Sequence, residues 1–207
     1  MNKITKLLLS LTAMLAAGCS DITVAPKPAS RSDATIQGGG SNATLTGSDT
    51  IRFAFVIDPS RTITYNLGAG NSIVFPAHSL CDLSSTYGID QWDQPCVLAT
   101  SAVTVYTKAW LDGNGFAHVD FDKHIRFVPT ANPAGWVMLS LYDYGAYTTP
   151  WTKINYCPTS SPSSCFDESL TDPSVATIKD PVSGKLLRRV KHFSGYSLTS
   201  GRDSEEF

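Results

Sequence analysis

The segment His192-Phe193-Ser194 places a hydroxyl nucleophile directly after a peptide carbonyl group. The Ser194 hydroxyl could attack the carbonyl carbon of Phe193, and an N-to-O acyl shift would convert that peptide bond into an ester. Water would then hydrolyse the ester, provided that a base removes the hydroxyl proton and the peptide is held under strain. One hypothesis is therefore a single cleavage of the chain between Phe193 and Ser194.

The sequence leaves open which base would serve this reaction. His192 is the nearest histidine, but in an extended strand residues 192 and 194 lie about 6.6 Å apart, which is long for direct proton transfer. The other histidines of the chain are His78, His118 and His124. We favour the alternative that the segment is a closing strand with Phe193 packed inward. Its other face would then carry His192, Ser194 and Tyr196.

Four potential metal ligands occupy alternate positions in the middle of the chain, namely His118, Asp120, Asp122 and His124. In a strand all four would point to one face, since successive side chains alternate. The first and the last lie roughly 20 Å apart along a strand, so one ion could not contact all four. A pair of them could supply two ligands to a site completed by another strand. We favour a solvated strand face and assign no resident metal.

Aromatic side chains that could stack on sugar rings flank Gly145 and Pro150, and they are Tyr142, Tyr144, Tyr147 and Trp151. Recognition is often located in loops at the end of a β-sandwich, so this cluster is a candidate binding surface. The alternative is that the rings are buried and close one end of the domain. We favour burial.

Four cysteines lie between positions 81 and 165, namely Cys81, Cys96, Cys157 and Cys165. An even number of cysteines in an exported chain indicates disulfides. Three pairings are possible, and we favour the local one, because Cys81–Cys96 and Cys157–Cys165 would each close a short polar loop. A four-thiolate zinc site is the alternative, although no C-x-x-C spacing occurs.

Residues 1–18 have the features of a secretory signal. Lys3 and Lys6 precede an apolar run from Leu7 to Ala17. This run is shorter than the roughly 20 residues that a helix needs to span a bilayer. We therefore expect a cleaved export signal rather than a transmembrane anchor.

The run L-A-A-G-C at positions 15–19 resembles the lipobox of bacterial lipoproteins. The resemblance implies cleavage before Cys19 and a diacylglyceryl thioether on its sulfur, so that membrane lipid becomes a partner of the chain. Ala16 departs from the family pattern, in which leucine is most frequent. An aspartate directly after the cysteine would resemble an inner-membrane retention signal, but this chain has Ser20 at that position. The serine therefore favours the outer membrane.

Composition divides the remainder of the chain into three parts. Residues 19–49 are rich in Ser, Thr, Ala, Gly and Pro and indicate a flexible, disordered tether. From 50 to 200, short β-branched and aromatic runs alternate with turn residues, which predicts an all-β fold, an immunoglobulin-like sandwich. Residues 201–207 form an acidic tail.

Periodicity predicts strands at 51–57, 62–67, 72–75, 102–111, 116–121, 125–128, 137–142, 175–179, 185–190 and 192–198. Asp112-Gly113-Asn114-Gly115 predicts a hairpin turn, because Asn and Gly accept positive φ.

Charge disfavours a nucleic-acid partner. Without Lys3 and Lys6, 14 of the 16 basic side chains remain against 18 acidic ones. The densest basic cluster is Lys185, Arg188, Arg189 and Lys191, which we expect to lie on the solvated face of a strand.

The run H-F-S-G-Y at 192–196 resembles the last strand of ZU5-type β-sandwich domains, particularly those of bacterial secreted proteins and lipoproteins. Further segments fit the same pattern in order, namely I-T-Y-N-L-G-A-G-N-S-I-V-F-P-A at 63–77, H-V-D-F-D-K-H-I-R-F-V-P at 118–129 and W-V-M-L-S-L-Y at 136–142. The resemblance covers about 63–198 and implies a ZU5-like sandwich. Eukaryotic relatives of this fold include domains that cut themselves between Phe and Ser of an H-F-S run and release a signalling domain. Here the segment 194–207 follows the motif.

These observations together predict a lipid-anchored protein of the cell envelope whose sandwich serves as a binding or structural module for an envelope protein or a glycan. A self-cleaving domain and a carbohydrate-binding module are the alternatives. A multiple-turnover enzyme is not indicated, since the chain has no G-x-S-x-G elbow and no recognisable carboxylate pair. We expect no cofactor beyond the covalent lipid on Cys19.

Overall fold

The computed structural model describes residues 50–112, 115–142, 151–180 and 182–199. These residues form two five-stranded sheets in which neighbouring strands run antiparallel. The predicted all-β sandwich is therefore confirmed. The strands are β1 (Ile51–Ile57), β2 (Ile63–Gly68), β3 (Asn71–Phe75), β4 (Val103–Leu111), β5 (Ala117–Phe121), β6 (Val137–Tyr142), β7 (Lys153–Cys157), β8 (Ile178–Asp180), β9 (Lys185–Val190) and β10 (Gly195–Thr199).

Sheet A has the strand order β1-β4-β5-β10-β7, and sheet B has the order β2-β3-β6-β9-β8. Alternate side chains of both sheets meet in one apolar core. On β4, for example, Val103 and Val105 are buried while Thr104 and Tyr106 are exposed. This inward and outward alternation is what allows the two sheets to pack face to face.

The other regular elements are single 3₁₀ turns between strands. They span Ile89–Gln91, Pro133–Gly135, Pro162–Ser164, Glu168–Leu170 and Pro173–Val175. Among the described residues, no helix is both long enough and apolar enough to cross a membrane. The predicted lipidation residue Cys19, the predicted tether at 19–49 and the predicted acidic tail at 201–207 lie outside the described residues.

Hydrophobic periodicity located β1, β6 and β9 at their observed bounds, and β2 to β5 within one residue at each end. One predicted strand is wrong, because segment 125–128 forms only isolated bridges through Arg126 and Phe127. The strand predicted at 175–179 is found as β8, but it begins three residues later because a 3₁₀ turn extends to Val175. Strand β7 has no counterpart among the predicted strands, and β10 begins three residues later than expected.

The local cysteine pairing is confirmed, because disulfides join Cys81 to Cys96 and Cys157 to Cys165. The zinc alternative is therefore wrong. The predicted hairpin also links β4 to β5, with the Asp112 N–H donating to the carbonyl of Phe116 at 2.9 Å. The first disulfide closes the loop 81–96, and the second closes the loop 157–165.

The solvated basic face predicted for β9 is wrong. Arg188, Arg189 and Lys191 are all buried. Lys191 is paired with two carboxylates, those of Asp93 at 2.6 Å and Asp172 at 2.5 Å. The Arg189 guanidinium lies over the ring of Trp136, 4.7 Å from its centroid. A buried cation requires such partners, and loops distant in sequence supply them.

Candidate functional site

The closing segment of the chain is fixed by the side chain of Phe193, which is fully buried. Its ring stacks on Phe121, with centroids 4.2 Å apart, and meets Phe75 and Phe127 edge to face. Its N–H donates to the carbonyl of Ile125 at 2.8 Å. The inward packing predicted for Phe193 is confirmed.

The prediction that Tyr196 lies on the face of the strand opposite Phe193 is wrong. Tyr196 belongs to the same core as Phe193, although the two are separated by an odd number of positions. The simple alternation is therefore interrupted between them. The Tyr196 hydroxyl donates to the carbonyl of His192 at 2.7 Å, which holds the backbone across this irregularity.

His192 is itself buried, at 1% exposure. Its imidazole stacks on the indole of Trp92, with centroids 3.9 Å apart and planes inclined by 17°. Its Nε2 lies 3.1 Å from Oε1 of Glu168. Because a carboxylate can only accept, Nε2 carries the proton of this hydrogen bond. The ring is thus held by one stacking contact and one charge-assisted hydrogen bond.

Glu168 joins this imidazole to a second buried group. Its other oxygen pairs with the Arg188 guanidinium, which is fully buried and also donates to the carbonyl of Ile154. The guanidinium lies 5.6 Å from the ring centroid of Tyr196. A guanidinium without water must be compensated by hydrogen bonds and an opposite charge, and Glu168 supplies that charge.

Tyr87 reaches the same place from the loop closed by Cys81 and Cys96. Its hydroxyl donates to the carbonyl of Phe193 at 2.5 Å and lies 3.3 Å from Nδ1 of His192. Burial raises the pKa of this hydroxyl, and the nearby Tyr156 and Glu168 raise it further. The phenol therefore stays protonated and donates to the carbonyl of Phe193. This carbonyl belongs to the peptide bond that the sequence suggested as a cleavage site.

We name the side chains of Tyr87, Trp92, Glu168, Arg188 and His192 the His192 cluster. It polarises the Phe193 carbonyl, but among the described residues it places no histidine against the neighbouring hydroxyl. The Ser194 hydroxyl donates to the carbonyl of Cys157 at 3.3 Å. Within the described ranges, no histidine nitrogen is hydrogen bonded to it, because His192 directs its two nitrogens at Glu168 and Tyr87.

His118 lies in a separate buried site on the outer side of sheet A. Its ring stacks on Trp110 with centroids 5.0 Å apart, and its Nε2 lies 3.3 Å from both Asp112 Oδ2 and Ser197 Oγ. A serine-protease-like relay needs the acid and the serine on opposite ring nitrogens. Here both contact the same nitrogen, and Ser197 is fully buried. Burial lowers the pKa of His118.

The other proposed metal ligands point to different partners. Asp120 accepts from the Ser160 hydroxyl at 2.7 Å, and Asp122 accepts from the Tyr106 N–H at 2.8 Å. The His124 ring packs on Tyr87. In the part of the chain that the structure describes, no three histidine, cysteine, aspartate or glutamate side chains form a group that could hold a metal ion.

The aromatic cluster is described only in part. Tyr142 is half-buried, and its ring approaches the turns at Gly70 and Gly184. Trp151 is 64% exposed, so the favoured burial is wrong for this ring. Tyr144 and Tyr147 lie outside the described residues.

Sequence reasoning missed four members of the His192 cluster, namely Tyr87, Trp92, Glu168 and Arg188. The first three lie in loops without hydrophobic periodicity, and Tyr87 is 105 positions from His192. The one available signal was a charged residue at an inward position of a strand, Arg188 on β9.

Comparison of the chain with protein-family models, with curated proteins and with solved structures found no match.

Proposed function

We propose that this chain is a lipid-anchored protein of the cell envelope that displays its β-sandwich as a binding or structural module. The observation that carries the proposal is the pair of disulfides, Cys81–Cys96 and Cys157–Cys165. Disulfides persist in oxidising compartments and are rare in the reducing cytosol. They support export, which is what the signal features of residues 1–18 predict.

The lipobox-like run ending at Cys19 supports an anchor in addition to export. A thioether-linked lipid on Cys19 would hold the protein at a membrane surface, and the polar residues up to 49 would separate the sandwich from it. The ZU5-like pattern between 63 and 198 belongs to the same proposal. Ser20 favours the outer membrane.

Metabolic labelling with a clickable palmitate analogue tests the anchor. We expect the full chain to carry the label and to partition with membranes, and Cys19→Ala to lose both properties. Ser20→Ala, which removes a neighbouring hydroxyl and keeps the cysteine, is the matched control and should remain labelled. An unlabelled wild-type chain, or a labelled Cys19→Ala variant, would contradict the proposal.

Self-cleavage is a second candidate, favoured by the hydrogen bond from Tyr87 to the carbonyl of Phe193 at 2.5 Å. A donor at this oxygen would stabilise the negative charge that forms when Ser194 Oγ bonds to the carbonyl carbon. The C–N bond would then break to leave an ester and the free amine of Ser194. Hydrolysis of the ester would give a Phe193 carboxylate and restore the serine hydroxyl.

Cleavage must be measured under denaturing conditions. The segment after the cut would stay bound, because β10 is paired with both β5 and β7. Intact mass spectrometry of the denatured chain should reveal a 194–207 fragment that disappears in Ser194→Ala and forms more slowly in Tyr87→Phe. An uncut wild-type chain after prolonged incubation would exclude this second function.

A further inference from the structure

A groove of about 620 Å³ lies on the outer face of sheet A, away from the His192 cluster. Its floor is set by strand register, since Arg52 on β1 is opposite Lys108 on β4, and Lys108 is opposite Asp120 on β5. Ser160, which belongs to the loop closed by the second disulfide, forms one wall. The groove has the size of an ordinary small-molecule site, which is about 300–1,000 Å³.

The two carboxylates of the groove are held in place and retain hydrogen-bonding capacity. Oδ2 of Asp120 accepts from the Ser160 hydroxyl, and Oδ1 of Asp122 accepts from the Tyr106 N–H. Oδ1 of Asp120 has no hydrogen-bond donor among the described residues. An ionised carboxylate has about four acceptor positions, so each can take further donors from a ligand.

An exposed aromatic ring lies beside these acids. Tyr106 is 60% exposed, and its partner across the β1–β4 register is the small Ala54. The other outward aromatic residue of β4, Trp110, lies under the Lys108 ammonium at 4.4 Å and is stacked on His118. Tyr106 therefore offers the open apolar platform of the groove.

The charges of the groove indicate the class of its ligand. The groove is lined by two cations, Arg52 and Lys108, and by two carboxylates, Asp120 and Asp122. With two charges of each sign, it offers no net charge that would attract a strong anion or a polycation. A ring that carries several hydroxyl groups can donate to the acids, accept from the cations and lay its C–H face on Tyr106.

We propose that this groove binds a short, uncharged oligosaccharide. The inference rests on the proposed function, since it names the ligand class of the displayed module. It also assigns carbohydrate binding to side chains other than Tyr142 and Trp151, neither of which lines the groove.

The test is titration of the purified full chain with soluble cello-, malto- and chito-oligosaccharides and with soluble peptidoglycan fragments. We expect at least one saccharide to bind, and Tyr106→Ala and Asp120→Asn each to weaken its binding about tenfold or more. Thr104→Ala is the matched control, because Thr104 is exposed on the same face of β4 but does not line the groove. This control should bind as the wild type does.

Urea unfolding of each variant separates loss of a contact from loss of the fold. Three outcomes would overturn the inference: no saccharide binds the wild-type chain, both groove variants bind normally while folded, or only the charged peptidoglycan fragments bind. Palmitate labelling at Cys19 keeps this result distinct from the anchor. A labelled chain that binds no saccharide overturns the groove alone, whereas an unlabelled chain that binds one overturns the anchor alone.

Discussion

Replacing Glu168 by glutamine should destabilise the sandwich strongly, because it removes the carboxylate that pairs with the buried Arg188. The two side chains are 12% and 1% exposed, so little water can replace the lost charge. Breaking a buried ion pair by neutralising one member costs about 3–5 kcal/mol. The glutamine side chain would keep the shape of the original and one oxygen acceptor, which can serve His192. Its NH2 group cannot accept from Arg188, so the loss reports the charge together with that hydrogen bond.

Urea unfolding followed by tryptophan fluorescence measures this loss. With a slope of about 2 kcal/mol per molar urea, the midpoint should fall by roughly 1.5–2.5 M. Asp90→Asn is the matched control, because Asp90 is an exposed acid on the first disulfide loop. Its neutralisation should change stability by less than about 0.5 kcal/mol.

The double variant Glu168→Gln/Arg188→Met decides whether the mechanism is correct. Replacing both charges removes the unpaired guanidinium, so part of the lost stability should return. The carbonyl of Ile154 then lacks its donor and the new amide lacks an acceptor, and each of these costs about 1 kcal/mol. A single variant that loses less than about 1 kcal/mol, or a double variant no more stable than the single one, would refute the reasoning.

Three further variants test other parts of the fold by the same unfolding assay. Burial lowers the pKa of His118 below its ordinary value of 6.5, so the unfolded chain takes up this proton first and stability falls as the pH drops below about 6.5. His118→Gln should lose less unfolding free energy than the wild type between about pH 7.5 and about pH 5.5. An unchanged loss would mean that other titratable groups cause the acid sensitivity. In Gly195→Ala, the new Cβ would lie 2.8 Å from the carbonyl oxygen of Cys157, which should cost about 1–3 kcal/mol. Wild-type stability there would mean that β7 moves aside freely. Converting Cys81 and Cys96 to serine should cost about 3 kcal/mol, given their separation of 15 positions, and a smaller loss would show that the unfolded loop is already restricted.

The sandwich itself could be predicted from the sequence because strand periodicity is a local property. Strands β1, β6 and β9 alternate inward and outward residues with turn residues at their ends, and their bounds were found. Segment 125–128 has the same composition, but its backbone bridges single residues rather than a neighbouring strand. The composition of β7, K-I-N-Y-C, is too mixed to stand out.

The candidate site could not be predicted in the same way because its parts come together only in the folded chain. His192 and Phe193 were recognised from their motif, whereas Tyr87 and Glu168 lie in loops 105 and 24 positions from His192. Burial of Arg188 was missed for the same reason. Charged residues on a strand indicate solvent unless a partner is known, and here the partner is Glu168.

Strand β10 is the last described strand, yet it lies in the interior of sheet A between β5 and β7. In a chain that emerges from a ribosome or an export channel with its amino terminus first, residues 195–199 therefore appear after all the other described strands. Neither β5 nor β7 can pair with β10 before that point. Until then, β5 presents an open edge on which another chain could add a strand. The time spent in this incomplete state sets how long the emerging protein needs protection from aggregation.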